Sequence, residues 1–273
     1  MDPDTNGGDG PRRNLFVKLR AFGRISSQLR WLNRLDPSNS SLAPQFSENQ
    51  HDTPTFSTCS PICCSPGWCL RDQDPVDVEK ELKLVTVSLK AGHFLLPSYK
   101  AKQPFGLIPC LEDGDLIVFE SRAIARYLAE KYEGQGTPLL GKTLKERAII
   151  NQWAESEAQN FQPAIGPMVR EAFVAAFGIR PVDEEVVAAG MKKLDQVLDV
   201  YEAHLAKGTK YLAGDDFSLA DLFHTVYMNW MKSARPELLE KRPHLSAWIH
   251  DITTRPAFLR CLQLDWENAS PIQ

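Results

Sequence analysis

Nothing in the chain approaches eighteen consecutive apolar residues, which removes the usual membrane-spanning helix. Positive charge is not in surplus: the net charge is −4 and the pI about 5.9, so the electrostatic footprint of a nucleic-acid binder is missing. Cysteine is sparse, with six in 273 residues, and four of them crowd into CSPICCSPGWC as Cys59, Cys63, Cys64 and Cys69. That spacing lacks the C-x2-C pairs of structural zinc sites and of redox motifs, and no histidine pair follows at ligand distance, so no metal is expected. Cys110 and Cys261 stand alone in apolar contexts, as reduced buried thiols do. Acid is absent from Arg12 to Arg34, where seven basic residues accompany Phe22, Ile25, Leu29 and Leu32 at helical spacing. An Arg-rich targeting helix fits this pattern; Asp2, Asp4 and Asp9 ahead of it argue against one and favour a solvated or disordered segment. Residues 36–66 have no sustained hydrophobic period and are rich in Ser, Pro, Asn and Thr, which reads as a linker.

What is present is enough apolar content, 43%, for one large or two modest domains. The chain is best organised around Gln103 to Tyr132. Leu107 to Leu111 and Leu116 to Phe119 are apolar runs separated by Glu112-Asp113-Gly114-Asp115, and Asp-Gly between such runs signals a hairpin. Glu120-Ser121 then opens a segment with Ile124, Tyr127 and Leu128 at three- and four-residue spacing, an amphipathic helix with a capping residue at its start. A strand that feeds directly into a helix N-terminus offers unpaired N–H groups and a dipole suited to a carboxylate. The Ser121 hydroxyl and these amides suit the carboxylate of an amino-acid head group, and Glu120 its ammonium. Pro109, after Phe105-Gly106, suits a turn with a cis bond that leaves the Ile108 backbone free to pair with an extended peptide. A plain hairpin with a capped helix is the alternative on spacing alone.

After Gly134-Gln135-Gly136-Thr137-Pro138 everything reads as helix. Thr143-x-x-Glu146 and Ser218-x-x-Asp221 are capping boxes, and Asp183 caps a helix whose stripe is Val187, Met191, Leu194, Leu198, Tyr201 and Leu205. A kink is expected between Asn160 and Pro167. Leu222, Val226 and Trp230 are expected in the core, and Pro236, Pro243 and Pro256 each open a short helix.

PFG, the following Ile-Pro, DGDL and FESRAIARYLAEKY closely resemble the thioredoxin-like domain of glutathione transferases, and of the plant phi class in particular. FSLADL at 217–222 matches the same family, and the resemblance runs from about Val78 to about Leu264. It implies an α/β thioredoxin-like N-terminal domain, with its first strand and helix missing or degenerate, followed by an all-α helical domain. The expected limits are an atypical, largely disordered extension at 1–77, a glutathione-binding domain at 78–133, a linker at 134–141, the helical domain at 142–264 and a tail at 265–273. It also implies that Glu120 and Ser121 hold the γ-glutamyl end of glutathione, while Ile108, before cis-Pro109, pairs with the tripeptide's cysteine. No cofactor is implied beyond glutathione as co-substrate. The expected reaction is attack of its thiolate on an apolar electrophile, by a homodimer in the cytoplasm, or in an organelle if 12–34 is a transit peptide.

The chain departs from the phi pattern in three places. Leu107 replaces a glutamine. Phe94 and Leu95 stand where the family has the histidine and lysine that reach the glycine carboxylate, leaving His93 one position early as a candidate. Ser65, followed by Pro66, lies near the place of the catalytic serine but two residues off the family spacing, and Pro75 interrupts the helix expected after it. For the acceptor, Phe161, Ile165 and Met168 are the expected apolar wall, with core packing as the alternative for each. These departures predict weakened glutathione binding and poor catalysis. They also sustain a different reading, a non-catalytic glutathione- or hydrophobe-binding protein, and a third in which residues 1–77 derive from a mispredicted or alternative first exon.

Overall fold

The computed structural model describes residues 55–58, 83–88, 91–176, 179–263 and 270–271. Its sheet contains β1 (Thr55–Thr58), β2 (Lys83–Thr86), β3 (Cys110–Asp113), β4 (Leu116–Phe119) and β5 (Ser270–Pro271), in the order β4-β3-β1-β2-β5. Strands β3 and β4 form the expected hairpin, with Cys110 opposite Phe119 and Gly114 at φ 62° in the turn, where a side chain would be strained. Strand β1 runs parallel to β2, Ser57 beside Val85, and antiparallel to β3, Ser57 beside Cys110. This mixed sheet with a helix on its face is the thioredoxin-like arrangement.

The first strand, expected to be missing or degenerate, is present in short form: it is the four-residue β1, in the middle of the sheet and inside the stretch whose composition reads as a linker. Three of its four residues, Thr55, Phe56 and Thr58, are good strand formers, but the run is short and has no hairpin partner next to it in sequence. Both of its pairings are with distant segments, which no local pattern reveals. The interrupted helix expected after Ser65 lies outside the described residues. Strand β2 spans Lys83–Thr86.

Between β2 and β3 lie a 3-10 turn (His93–Leu95) and the short helix α1 (Pro97–Lys100). Helix α2 (Ser121–Lys131) lays Ile124 and Leu128 on Leu111 of the sheet, and a second small cluster joins Val87, Tyr99 and Cys110 with Phe94 and Ile108. The Tyr127 hydroxyl and the Lys131 ammonium both bind the Asp113 carboxylate and so tie α2 to the hairpin.

The remaining helices are α3 (Leu144–Ser156), α4 (Gln162–Ala176), α5 (Glu184–Leu205), α6 (Leu219–Ala234), α7 (Pro243–Thr254) and α8 (Pro256–Gln263). Thr143 Oγ1 accepts the Glu146 amide, Asp183 Oδ1 accepts those of Glu185 and Val186, and the Ser218–Asp221 box closes in both directions. The irregularity expected near Asn160 is a π turn at Glu157–Phe161, which adds one residue to the turn and re-aims the side chains that follow. In α6, Leu222 is buried as expected, whereas Val226 and Trp230 are only half-buried. Phe223, His224, Met228 and Met231 fill the core in their place. The two halves are joined where Ala125 of α2 enters the helical core and where Arg122 Nε donates to Glu157. Among the described residues no helix is long and apolar enough to cross a membrane.

Candidate functional site

Strand register brings four segments to one edge of the sheet. Since Cys110 pairs with both Ser57 and Phe119, the start of β3 lies beside the ends of β1 and β4, and Thr58 opposite Thr86 adds the end of β2. Residues next to these ends are therefore neighbours: Ile108-Pro109 before β3, Glu120-Ser121 after β4, and Ser88 with the His93 turn after β2. Ligands of open α/β sheets bind outside such carboxyl ends.

The peptide bond from Ile108 to Pro109 is cis, as the sequence suggested. The turn ahead of it is fixed from within. Buried Gln103 accepts the Phe105 amide at 2.8 Å, its own carbonyl accepts the Gly106 amide at 3.0 Å, and the Tyr99 hydroxyl donates to the Leu107 carbonyl at 2.8 Å. Gly106 is required there: it has φ 62°, and a Cβ would lie 3.0 Å from the Phe94 carbonyl oxygen. Among the described residues, nothing pairs with the backbone N–H or C=O of Ile108, so both can take an extended peptide. The Leu107 side chain, in the place where the resemblance implies a glutamine, is exposed and offers no hydrogen bond.

Glu120 is the one non-glycine among the described residues with positive φ, 70°. A side chain held in that region costs about 1–3 kcal/mol and persists where surrounding structure enforces it. Here the enforcing elements are β4 on one side and α2 on the other. The result is an exposed carboxylate beside the half-exposed Ser121 and the unpaired first amides of α2, whose first turn carries no acid to compete for them.

Arg122, next in the chain, was not singled out in the sequence. Its Nε donates at 2.5 Å to Oε2 of Glu157, a residue with no exposed surface, placed by the π turn between α3 and α4. Burial pushes the Glu157 carboxyl up, and the Arg122 hydrogen bond pulls it back. Its Oε1 is buried without a partner among the described residues. Behind it, His224 Nε2 accepts from the Tyr201 hydroxyl at 2.9 Å, and its Nδ1–H donates to the Ala220 carbonyl at 2.6 Å. Burial drives the His224 pKa down to about 3, and the nearby Arg122 charge pushes the same way. The ring is therefore neutral. The sequence signal available for this network was an arginine beside Glu-Ser; its partner lies 35 residues away and has no periodic signature.

At the other end of the edge, His93 is turned into its own loop. The Ser88 amide donates to Nδ1 at 3.3 Å, and the His93 amide donates to the Ser88 carbonyl at 3.1 Å. An Nδ1 that accepts leaves the proton on Nε2, which is then free to donate to a carboxylate. Phe94 packs into the Val87, Tyr99 and Cys110 cluster, and Leu95 is exposed. Cys110, in that cluster, has its thiol pushed up to about 11, chiefly by burial, so it supplies no thiolate.

Of the two readings open for the expected acceptor wall, the packing agrees with core. Phe161, Ile165 and Met168 have 0%, 0% and 2% of their surface exposed and fill the helical core. Phe161 lies 4.9 Å from the His224 ring, and Met168 covers Gly190. The half-buried Tyr227, 6.3 Å from Phe161 and near the Arg122 charge, stands in front of that layer. Ser65 and the 59–69 cysteines lie outside the described residues. Among the described residues there is no cluster of ligands suited to a metal.

Two family models match the chain: glutathione S-transferase, N-terminal domain, over residues 76–130, and glutathione S-transferase, C-terminal domain, over residues 161–256. Among the similar proteins, glutathione S-transferase F13 of Arabidopsis thaliana is 43% identical over 182 residues, which is 66% of this chain and 83% of the relative. Glutathione S-transferase 3 of Zea mays is 43% identical over 180 residues, 65% and 80% of the two chains. Among solved structures, glutathione transferase F7 from Populus trichocarpa superposes with a TM-score of 0.71 at 39% identity, covering 77% of this chain and 98% of its own. A maize glutathione S-transferase I in complex with an atrazine glutathione conjugate gives 0.66 at 29% identity, covering 80% and 100%.

Proposed function

Since the chain belongs to the glutathione S-transferase family, and within it to the plant phi class, we propose that it binds glutathione along the carboxyl edge of the sheet and transfers it to apolar electrophiles. The observation that carries this reading is the pairing, on one edge, of an unpartnered Ile108 backbone before cis-Pro109 with a strained Glu120 before Ser121. In this reading the Ile108 N–H and C=O pair with the cysteine of glutathione. Ser121 and the first amides of α2 hold the γ-glutamyl carboxylate, and Glu120 its ammonium. His93 Nε2–H is the one donor proposed for the glycine carboxylate.

Conjugation requires the thiolate, and a free thiol of pKa about 8.5 is mostly protonated at neutral pH. Ser65 is the proposed donor to the sulfur. The acceptor would lie against Tyr227, with Phe161, Ile165 and Met168 backing it from the core. The transferase unit is proposed to cover 78–133 and 142–264, with β1 as a further strand of the first part. A homodimer, cytoplasmic, is the proposed state, with an organelle as the alternative compartment if 12–34 acts as a transit peptide. Exposed Phe105, and a recess of about 360 Å³ whose lining includes Arg126, Arg147, Glu130 and Glu133, give a two-fold partner apolar and mixed-charge surface.

Phe94 at the glycine end, packed into apolar surroundings where the family has a polar contact, favours a second reading in which the chain binds glutathione without turning it over. Calorimetry with glutathione and an assay of its conjugation to a chlorinated nitrobenzene separate the two. Glu120→Ala should weaken binding ten- to hundredfold, the loss of a charge-assisted hydrogen bond worth about 1.5–3 kcal/mol. Equal binding by both proteins removes the site. Binding without conjugation selects the second reading.

A further inference from the structure

The backbone N–H that Ile108 presents to a ligand is one half of a peptide unit. The other half is the Leu107 carbonyl, and the Tyr99 hydroxyl donates to it at 2.8 Å. The cis bond found among the described residues is the one from Ile108 to Pro109, so the unit joining Leu107 to Ile108 is trans, and its C=O and N–H point in opposite directions within one plane. A donor that fixes where the carbonyl points therefore fixes where the N–H points. Tyr99 is 3% exposed and belongs to the small core with Val87 and Cys110. With the carbonyl drawn toward that core, the Ile108 N–H is turned away from it, which accounts for its lack of a partner among the described residues.

Tyr99 is itself held. Its carbonyl accepts the amides of Lys102 and Gln103, both at 2.9 Å, and Gln103 in turn holds the Phe105 amide with its side chain and the Gly106 amide with its carbonyl. The turn leading to Ile108 is thus fastened from the inside. Its outer side is open, since the Leu107 side chain is 57% exposed. A Leu107 carbonyl bonded to water alone would leave the peptide plane free to rotate about the Leu107 Cα–C and Ile108 N–Cα bonds, the soft torsions on either side of it. The hydroxyl also acts on the strength of the donor, because a hydrogen bond accepted at the C=O of an amide polarises its N–H in a cooperative chain. A buried tyrosine hydroxyl needs some acceptor; here the acceptor is the carbonyl of the one peptide unit whose N–H meets the ligand.

We propose that Tyr99 is a positioning residue for the peptide ligand: its hydroxyl aims and strengthens the Ile108 N–H that pairs with the cysteine of glutathione, and so sets where the sulfur lies. The inference rests on the glutathione-binding reading above and assigns part of its geometry to a side chain that does not touch the ligand.

Calorimetry with glutathione, and amide hydrogen exchange with and without saturating glutathione, test it on the wild type, Tyr99→Phe and Tyr211→Phe. Tyr211 is another buried tyrosine, donating to Asp251 in the helical half, so its variant reports the effect of removing a buried hydroxyl away from the site. Tyr99→Phe should bind glutathione about tenfold more weakly, the loss of about one hydrogen bond. At saturation it should also lose most of the protection that glutathione gives the Ile108 amide, while protection at the start of α2 stays as in the wild type. Tyr211→Phe should keep the wild-type affinity and the Ile108 protection even where its Tm falls as far. Wild-type affinity in Tyr99→Phe overturns the proposal. So does weaker affinity with the Ile108 protection intact, which would leave Tyr99 a role in the fold alone, and so does an equal loss in Tyr211→Phe, which would mark general loosening. In each of these cases the wild type still binds and the glutathione reading stands; a wild type that does not bind glutathione removes that reading and this one together.

Discussion

The two ends of the proposed glutathione site differ in what stands behind them. At the γ-glutamyl corner, Glu120 and Ser121 sit on a strand-to-helix junction, and the next residue, Arg122, is fastened to a fully buried carboxylate of the helical half. At the glycine end, the His93 turn is fastened to Ser88 of its own loop, and the side chains flanking it are apolar. A corner locked by long-range contacts holds its geometry before the ligand arrives, whereas a loop closed on itself offers one side-chain donor. The affinity of this chain for glutathione should therefore reside at the corner.

The largest expected effect comes from the buried support of that corner. Neutral His224 has its pKa pulled from the ordinary 6.5 down to about 3, while in the unfolded chain it protonates normally. The unfolded state thus binds more protons between these two values. The stability tied to His224 is complete above about pH 6.5 and is lost as pH falls toward 3, by up to about 1.4 kcal/mol per unit. Buried Glu157 and Asp221, whose carboxyls are raised by burial, change in the opposite sense, so the measurement is a difference. In urea unfolding between pH 7 and 4, the stability gap between wild type and His224→Gln should narrow steadily as the pH drops. A gap constant with pH removes His224 from the account.

Next in size is Arg122→Ala, which leaves Glu157 buried without its cation. Breaking such a pair costs about 3–5 kcal/mol, and Arg122, a third exposed, belongs at the low end of that range. Glutathione binding should weaken as well, because the α2 terminus loses its anchor. Arg122→Ala in combination with Glu157→Leu should regain much of the stability by removing the buried charge, while leaving the affinity low. Affinity that returns along with stability would show that the pair supports the fold alone. The smallest effect is expected from His93→Ala, which deletes one donor to a carboxylate from a loop closed on itself, about 1.5 kcal/mol at the low end for a bond to a charged group and about tenfold in affinity.

The contrast also explains what was legible in the sequence. The hairpin, the cis-proline turn, the helix at Ser121 and the capping boxes at Thr143 and Ser218 are local devices, each written within a few residues, and the structure has all of them. Strand β1, strand β5 and the Arg122–Glu157 pair depend on partners far along the chain, so no window of sequence contains them. Burial of Phe161, Ile165 and Met168 was open in the same way: helical spacing shows that they share a face, while only the packed fold shows what that face meets.

Replacing glutathione by γ-glutamylcysteine, which has the corner's half of the ligand and lacks the glycine, tests the central claim most directly. Calorimetry on the wild-type chain should give affinities for the two within about tenfold of each other, the low end of the worth of one hydrogen bond to a carboxylate at the glycine end. A preference for glutathione of a hundredfold or more would place the binding energy at the His93 end and contradict the account.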